Sequence, residues 1–126
     1  MKAIETRTAS IHLDENNIIH IVIKKDICID YEDAIDNVLV IKNLTSNNPC
    51  LKLIDMRNNC SVEKMARDFV NTQEIKQKTI GRAIIKGFAL NKLLINFLIK
   101  LNKPETPTRM FTDYDEAYKW LLSLKK

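Results

Sequence analysis

Residues Glu5 to Leu13 alternate, with Arg7, Ala9, Ile11 and Leu13 on one face and Thr6, Thr8, Ser10 and His12 on the other. That period of two predicts a half-buried strand. Asp14-Glu15-Asn16-Asn17 is a turn cluster, and Ile18 to Lys24 is a second strand with Ile19, Ile21 and Ile23 inward. Matching the two apolar faces sets Leu13 opposite Ile19, Ile11 opposite Ile21 and His12 opposite His20. Asp30 then opens a helix as N-cap, with Glu32 and Asp33 in the first turn where the helix dipole favours acids. Its core stripe is Tyr31, Ala34, Ile35, Val38, Ile41 and Leu44.

Leu51-Lys-Leu-Ile-Asp-Met-Arg57 reads as a buried strand, and Asn58-Asn59-Cys60 as a polar turn. Ser61 is the expected N-cap of a second helix whose stripe is Val62, Met65, Ala66 and Phe69. Thr79 to Lys86 is a further strand, in which Gly81 allows a close backbone approach. Gly87 ends it. Phe88 to Asn102 is the most apolar helix, with Leu90, Leu93, Leu94, Phe97, Leu98 and Leu101 on one broad face. Phe88, Ile95 and Ile99 form a second seam that a helix packed on one sheet does not need, and so a candidate interface. Past Lys103-Pro-Glu-Thr-Pro107 come a short strand, Thr108 to Phe111, and a last helix capped by Asp113 or Thr112. Tyr114, Ala117, Tyr118, Leu121 and Leu124 pack in it, with Trp120 beside them.

A strand hairpin followed by alternating helices and strands implies right-handed crossovers and a mixed sheet. The expected fold is α/β: about five strands, antiparallel at the N-terminal hairpin and otherwise mostly parallel, with about four helices. One domain spans residues 1–126. This order and length, and the ending Arg109-Met-Phe-Thr-Asp-Tyr-Asp-Glu-Ala-Tyr-Lys-Trp-Leu121, resemble the STAS (SpoIIAA-like) superfamily, which includes bacterial anti-sigma factor antagonists. The architecture covers nearly the whole chain, the sequence motif only its last fifth. In the antagonist branch the working residue is a phosphorylated Ser at the start of the helix after the strand at 51–57, within an Asp-Ser-Ser/Thr-Gly motif. Ser61 matches by position, but its neighbours Asn59, Cys60 and Val62 lack the Asp and the Gly. Ser61 is therefore a candidate phosphoacceptor by resemblance and a candidate helix cap by its residue type.

Charge adds an asymmetry. Net charge is +4, yet residues 1–75 hold nine Lys/Arg against twelve Asp/Glu and residues 76–126 eleven against four. The basic residues are scattered at helix-surface spacing without interleaved aromatics, which argues against nucleic acid as a partner. No run approaches the roughly 18 apolar residues of a membrane span, and the N-terminus has no apolar export segment. Three cysteines without paired spacing, Cys28, Cys50 and Cys60, suit reduced thiols in a cytoplasm.

Candidate chemistry is sparse. The sequence has no Gly-rich phosphate loop, no nucleophile elbow and no H-E-x-x-H, so no catalytic residue and no cofactor is assigned. Cys60 near a helix start is a thiol whose pKa such a position lowers. His12 and His20 face each other, but their neighbours in register, Ser10 and Val22, complete no metal site. Arg57, Asn58 and the first amides of the second helix, with Lys86 from the adjacent strand end, form a candidate cradle for a small anion. The leading expectation is a non-catalytic regulatory or interaction module that pairs with a protein partner or with itself, as a homodimer through Phe88, Ile95 and Ile99. A small anionic ligand at the loop after 51–57 is the alternative.

Overall fold

The computed structural model describes residues 2–58, 60–87, 96–97, 99–100, 103 and 105–125. Strands β1 (Ile4–Glu5), β2 (Ala9–Leu13) and β3 (Ile18–Ile23) form an antiparallel meander. Next come β4 (Ile27–Ile29), α1 (Tyr31–Thr45), β5 (Cys50–Met56), β6 (Cys60–Val62), α2 (Lys64–Val70) and α3 (Gln73–Gln77). The chain continues through β7 (Thr79–Lys86) and β8 (Thr108–Phe111) to α4 (Tyr114–Ser123). The main sheet runs β1-β2-β3-β5-β7-β8, parallel from β3 onward. It has six strands among the described residues rather than five, and β4 pairs with β6 in a separate parallel ladder.

The sixth strand appears because the expected strand over Glu5 to Leu13 is broken. Thr6 Oγ1 accepts the amides of Thr8 and Ala9 at 3.3 and 3.0 Å, a local turn that competes with the ladder. Arg7 therefore leaves the sheet face and forms an ion pair with Asp33 on α1. The hairpin beyond the break has the register set by its isoleucines: Leu13 faces Ile19, Ile11 faces Ile21 and His12 faces His20.

Period-two alternation distributes the core to two layers. On one face, Ile11, Ile19, Ile21, Met56 and Ile84 meet Ala34 and Ile41 of α1 and Ala66 of α2. On the other, Ile18, Leu51, Leu53, Ala83 and Ile85 meet Ala117 and Leu121 of α4. Both faces of β3, β5 and β7 are thus covered. The stripe expected in α2 is corrected at Met65, which points outward. In the apolar stretch 88–102, Asn96, Phe97, Ile99 and Lys100 are helical. Phe97 packs on the first core layer while Ile99 is exposed. Phe88 and Ile95 lie outside the described residues.

Local caps match the residue types. Asp30 and Asp33 form a reciprocal capping box at the start of α1, and Asp113 accepts the Asp115 amide at the start of α4. Gly87 lies where a Cβ would stand 2.6 Å from the Arg57 carbonyl oxygen, so the ends of β5 and β7 require its lack of a side chain.

Two substitutions test this frame by urea unfolding. Asp30→Ala should cost about 1 kcal/mol, the usual worth of an N-cap. Gly87→Ala should cost about 1–3 kcal/mol, because backbone rather than a mobile side chain blocks the methyl.

Candidate functional site

The carboxyl end of β5 is held by its own charges. Asp55, buried on the α4 side, accepts two bonds from the Arg57 guanidinium, Nε to Oδ1 at 3.0 Å and Nη2 to Oδ2 at 2.7 Å. It also accepts the Arg57 amide at 3.1 Å. Burial works to raise the Asp55 carboxyl, but the Arg57 bonds outweigh it and the net shift is downward. Arg57 is raised in turn, chiefly by its bond to Asp55. Asn58 spends its amide on the Ile23 carbonyl, 2.9 Å away. Lys86 is half-buried and stands beside Met56 in register. Arg57, Asn58 and Lys86 thus lie at the carboxyl ends of β5 and β7. Lys86 alternates onto the α1 face with Arg82 and Ile84, while Arg57 folds onto Asp55 on the α4 face. The structure therefore does not converge them on one site, and the guanidinium is already neutralised.

Ser61 does not cap a helix. It lies in β6, paired with Cys28 of β4, and the N-cap position of α2 falls to Glu63, which makes no side-chain cap bond. The Glu63 amide instead extends the ladder to the Ile29 carbonyl at 2.9 Å. Strand pairing has taken the residues that turn chemistry alone would give to a cap. The helix start is accordingly displaced from Arg57, and no pre-aimed helix amides complete the expected cradle. Cys60 is corrected too: burial first, and then Asp55, push its thiol up rather than down. Burial likewise raises Cys50.

On the α4 side of the hairpin the facing histidines have become part of a larger network. Their rings stack at 4.4 Å with an interplanar angle of 6°. His20 Nδ1 is 2.5 Å from the Tyr114 hydroxyl, and Nε2 is 2.8 Å from Asp14 Oδ2. Tyr118 donates to the same Asp14 oxygen at 2.7 Å and accepts from Asn16 at 2.9 Å. The other Asp14 oxygen takes the amides of Asn16 and Ile18 at 2.8 and 3.0 Å. Burial works to raise Asp14, yet its bonds to His20, Tyr118 and these amides bring it below the usual carboxylate value. His12 is lowered, by burial first and by its neighbour His20 second. Both nitrogens of His20 are occupied, so neither is available to a metal or a reacting group. The network fastens the hairpin to α4, one hundred residues on in the chain. Among the described residues, no group of three or more His, Cys, Asp or Glu is placed to hold a metal ion.

A third cluster was not visible in the pattern of the chain. Lys52 of β5 and Arg82 of β7 are partners in register on the α1 side, and both are buried. Lysine in an alternating strand reads as a solvent-facing residue unless the second face is known to be covered.

Together the mixed sheet, the order of its strands and the helices on both faces define a SpoIIAA-like α/β fold. The same fold is seen in a crystal structure of an uncharacterised protein of the DUF3478 family, with a SpoIIAA-like fold, from Shewanella loihica PV-4. The TM-score is 0.62 at 16% identity, over 94% of this chain and 98% of that one. The chain belongs to the family described as Domain of unknown function (DUF7793), whose sequence model matches residues 11–125. No curated protein matches it. Among the described residues, no helix is long and apolar enough to cross a membrane.

The histidine network implies a pH dependence of one sign. His12 titrates below its ordinary 6.5, so the unfolded chain binds the proton more readily and stability falls as pH drops below that value. Asp14 titrates below its ordinary 3.8, so its stabilisation is full above that pH and is lost as pH falls through the folded value. Urea midpoints measured from pH 8 to 3 should fall in both windows. His12→Gln should remove the upper step. Asp14→Asn should shrink the lower one without abolishing it, because Asp33 and Asp55 are also held low.

Proposed function

We propose that this chain is a non-catalytic regulatory module that acts by association, either with a second copy as a homodimer or with a protein partner. The SpoIIAA-like fold supports a regulatory reading of STAS type. The observation that carries the association is the apolar exposure of the helical layer. Ile99 is 57% exposed, Met65 of α2 63% and Leu39 of α1 52%, all on helices that cover the same sheet face. Single exposed apolar residues are ordinary; three more than half exposed on the helices of one layer are what a covering second chain would explain. In the sequence, Phe88 and Ile95 share the helical spacing of Ile99, and the proposed seam includes them.

Ser61, at the position of the antagonist phosphoserine, sits half-buried in β6. Its neighbours Asn59, Cys60 and Val62 lack the Asp and the Gly of the phosphorylation motif, so association rather than phosphorylation carries the reading. The alternative, a small anion at Arg57, Asn58 and Lys86, is weaker because Asp55 already answers the Arg57 charge. Three free thiols, one of them exposed, suit a reducing cytoplasm.

Sedimentation equilibrium tests the self-association. A dimer that Ile99→Lys converts to monomer, with the melting temperature kept, is the expected result. A wild-type monomer at every concentration would overturn the homodimer.

A further inference from the structure

Between the sheet and helices α1 and α2 lies a cavity of about 140 Å³. Its walls are apolar, among them Ile41, Ala66, Ile84 and Phe97, and its polar lining among the described residues is Lys52, Arg82 and Asn37. Asn37 is already satisfied: its carbonyl oxygen accepts the Thr6 hydroxyl at 2.7 Å, and its amide donates to Thr8 Oγ1 at 3.0 Å.

The two cations lack an anionic partner among the described residues. Arg82 is 3% exposed; its Nη2 reaches the Val70 carbonyl only at 3.4 Å, and its buried Nη1 has no hydrogen-bond partner. Lys52 is 7% exposed, and among the described residues it makes no hydrogen bond or ion pair. Glu74, the carboxylate that lines the adjoining recess with Lys52, is bonded to Lys42 at 3.0 Å. The Cys50 thiol beside Lys52 is raised by burial, which keeps it neutral rather than anionic. Burial lowers Lys52 to about 8 and Arg82 to about 10, and Arg82 adds to the depression of Lys52. Two like charges thus stand side by side in an apolar chamber, a costly arrangement unless an anion joins them.

We propose that this cavity binds a small apolar carboxylate, its carboxylate between Lys52 and Arg82 and its hydrocarbon against the isoleucines and Phe97. The pair suits a carboxylate: Arg82 presents an unused planar N–H group, and Lys52 a mobile point charge. The volume selects the size. A dry apolar cavity of about 150 Å³ takes benzene, so an acid of about six carbons matches the space. This site is separate from the exposed helical surface and stands or falls apart from it.

Hexanoate is the probe, titrated by calorimetry and by amide NMR on the intact chain, with hexanol and inorganic phosphate as controls at equal ionic strength. Hexanoate should bind, shifting the amides of Ile54 and Ile84, while both controls fail. Lys52→Met should weaken hexanoate about tenfold or more, the scale of one charge-assisted bond. That variant removes an unpaired buried charge and so should fold at least as stably as the parent. Ala66→Leu, which keeps both cations and fills the chamber, should also weaken binding. No binding of hexanoate to the parent chain would overturn the proposal. Equal binding of hexanol, or undiminished binding by Lys52→Met, would also overturn it.

Discussion

The rest of the molecule depends on β5 being paired in parallel on both sides and covered on both faces. A strand in that position has no solvent-facing side, so each polar residue on it must be answered by a neighbour. Leu51 and Leu53 serve the α4 layer, and Ile54 and Met56 serve the α1 layer. Asp55 and Lys52 are the exceptions, one on each side. Asp55 lies at the strand's carboxyl end, where the chain turns back and Arg57 folds onto it. Lys52 lies in the interior of the strand, where its register partner is another cation. The same pairing rule therefore produces one compensated charge and one uncompensated pair.

The two faces of the sheet handle buried polarity in opposite ways. Under α4, His20 is bonded at both nitrogens and Asp14 at both oxygens, by groups from the hairpin, its turn and the last helix. A fully satisfied network of this kind is rigid and fixes how distant segments meet. Under α1, the two cations that face the cavity have no carboxylate beside them among the described residues, and Arg82 Nη1 has no hydrogen-bond partner. The first face reads as architecture and the second as a binding surface. That difference comes from hydrogen-bond accounting, not from residue type: a histidine pair attracts more notice in a sequence than a lysine and an arginine thirty positions apart.

Much of the frame was readable from alternation and caps. The isoleucines of β2 and β3 set their register, Asp30 and Asp113 mark helix starts, and β7 and β8 lie where apolar spacing placed them. Short elements escaped. The three-residue strands β4 and β6 are too brief for a period of two to show, and their pairing moved the start of α2 from Ser61 to Glu63. The turn at Thr6 broke a strand that looked continuous, because one hydroxyl can satisfy two amides. The candidate site at Arg57 was legible as a location but not in its charge state. Asp55 is two residues away along the chain, and alternation puts it on the same face as Arg57, but the expected cradle counts Arg57 as a free cation and leaves that neighbour unweighed.

Burial of Lys52 and Arg82 also bears on the cavity in the α1 layer. On the α4 side, leucine and isoleucine meet alanine and leucine at close range, and the polar atoms are tied among themselves. On the α1 side, two long cationic stems occupy positions where branched aliphatics would fill space. Hydrocarbon alone packed against their charged ends would leave those ends without a partner, at a cost that an all-aliphatic core does not carry. A core built only for stability would hold methionine or leucine there and close the gap. The cavity and the buried cations thus meet at one place: the cationic side chains stand in a space lined with the apolar surface that a small amphipathic anion would cover.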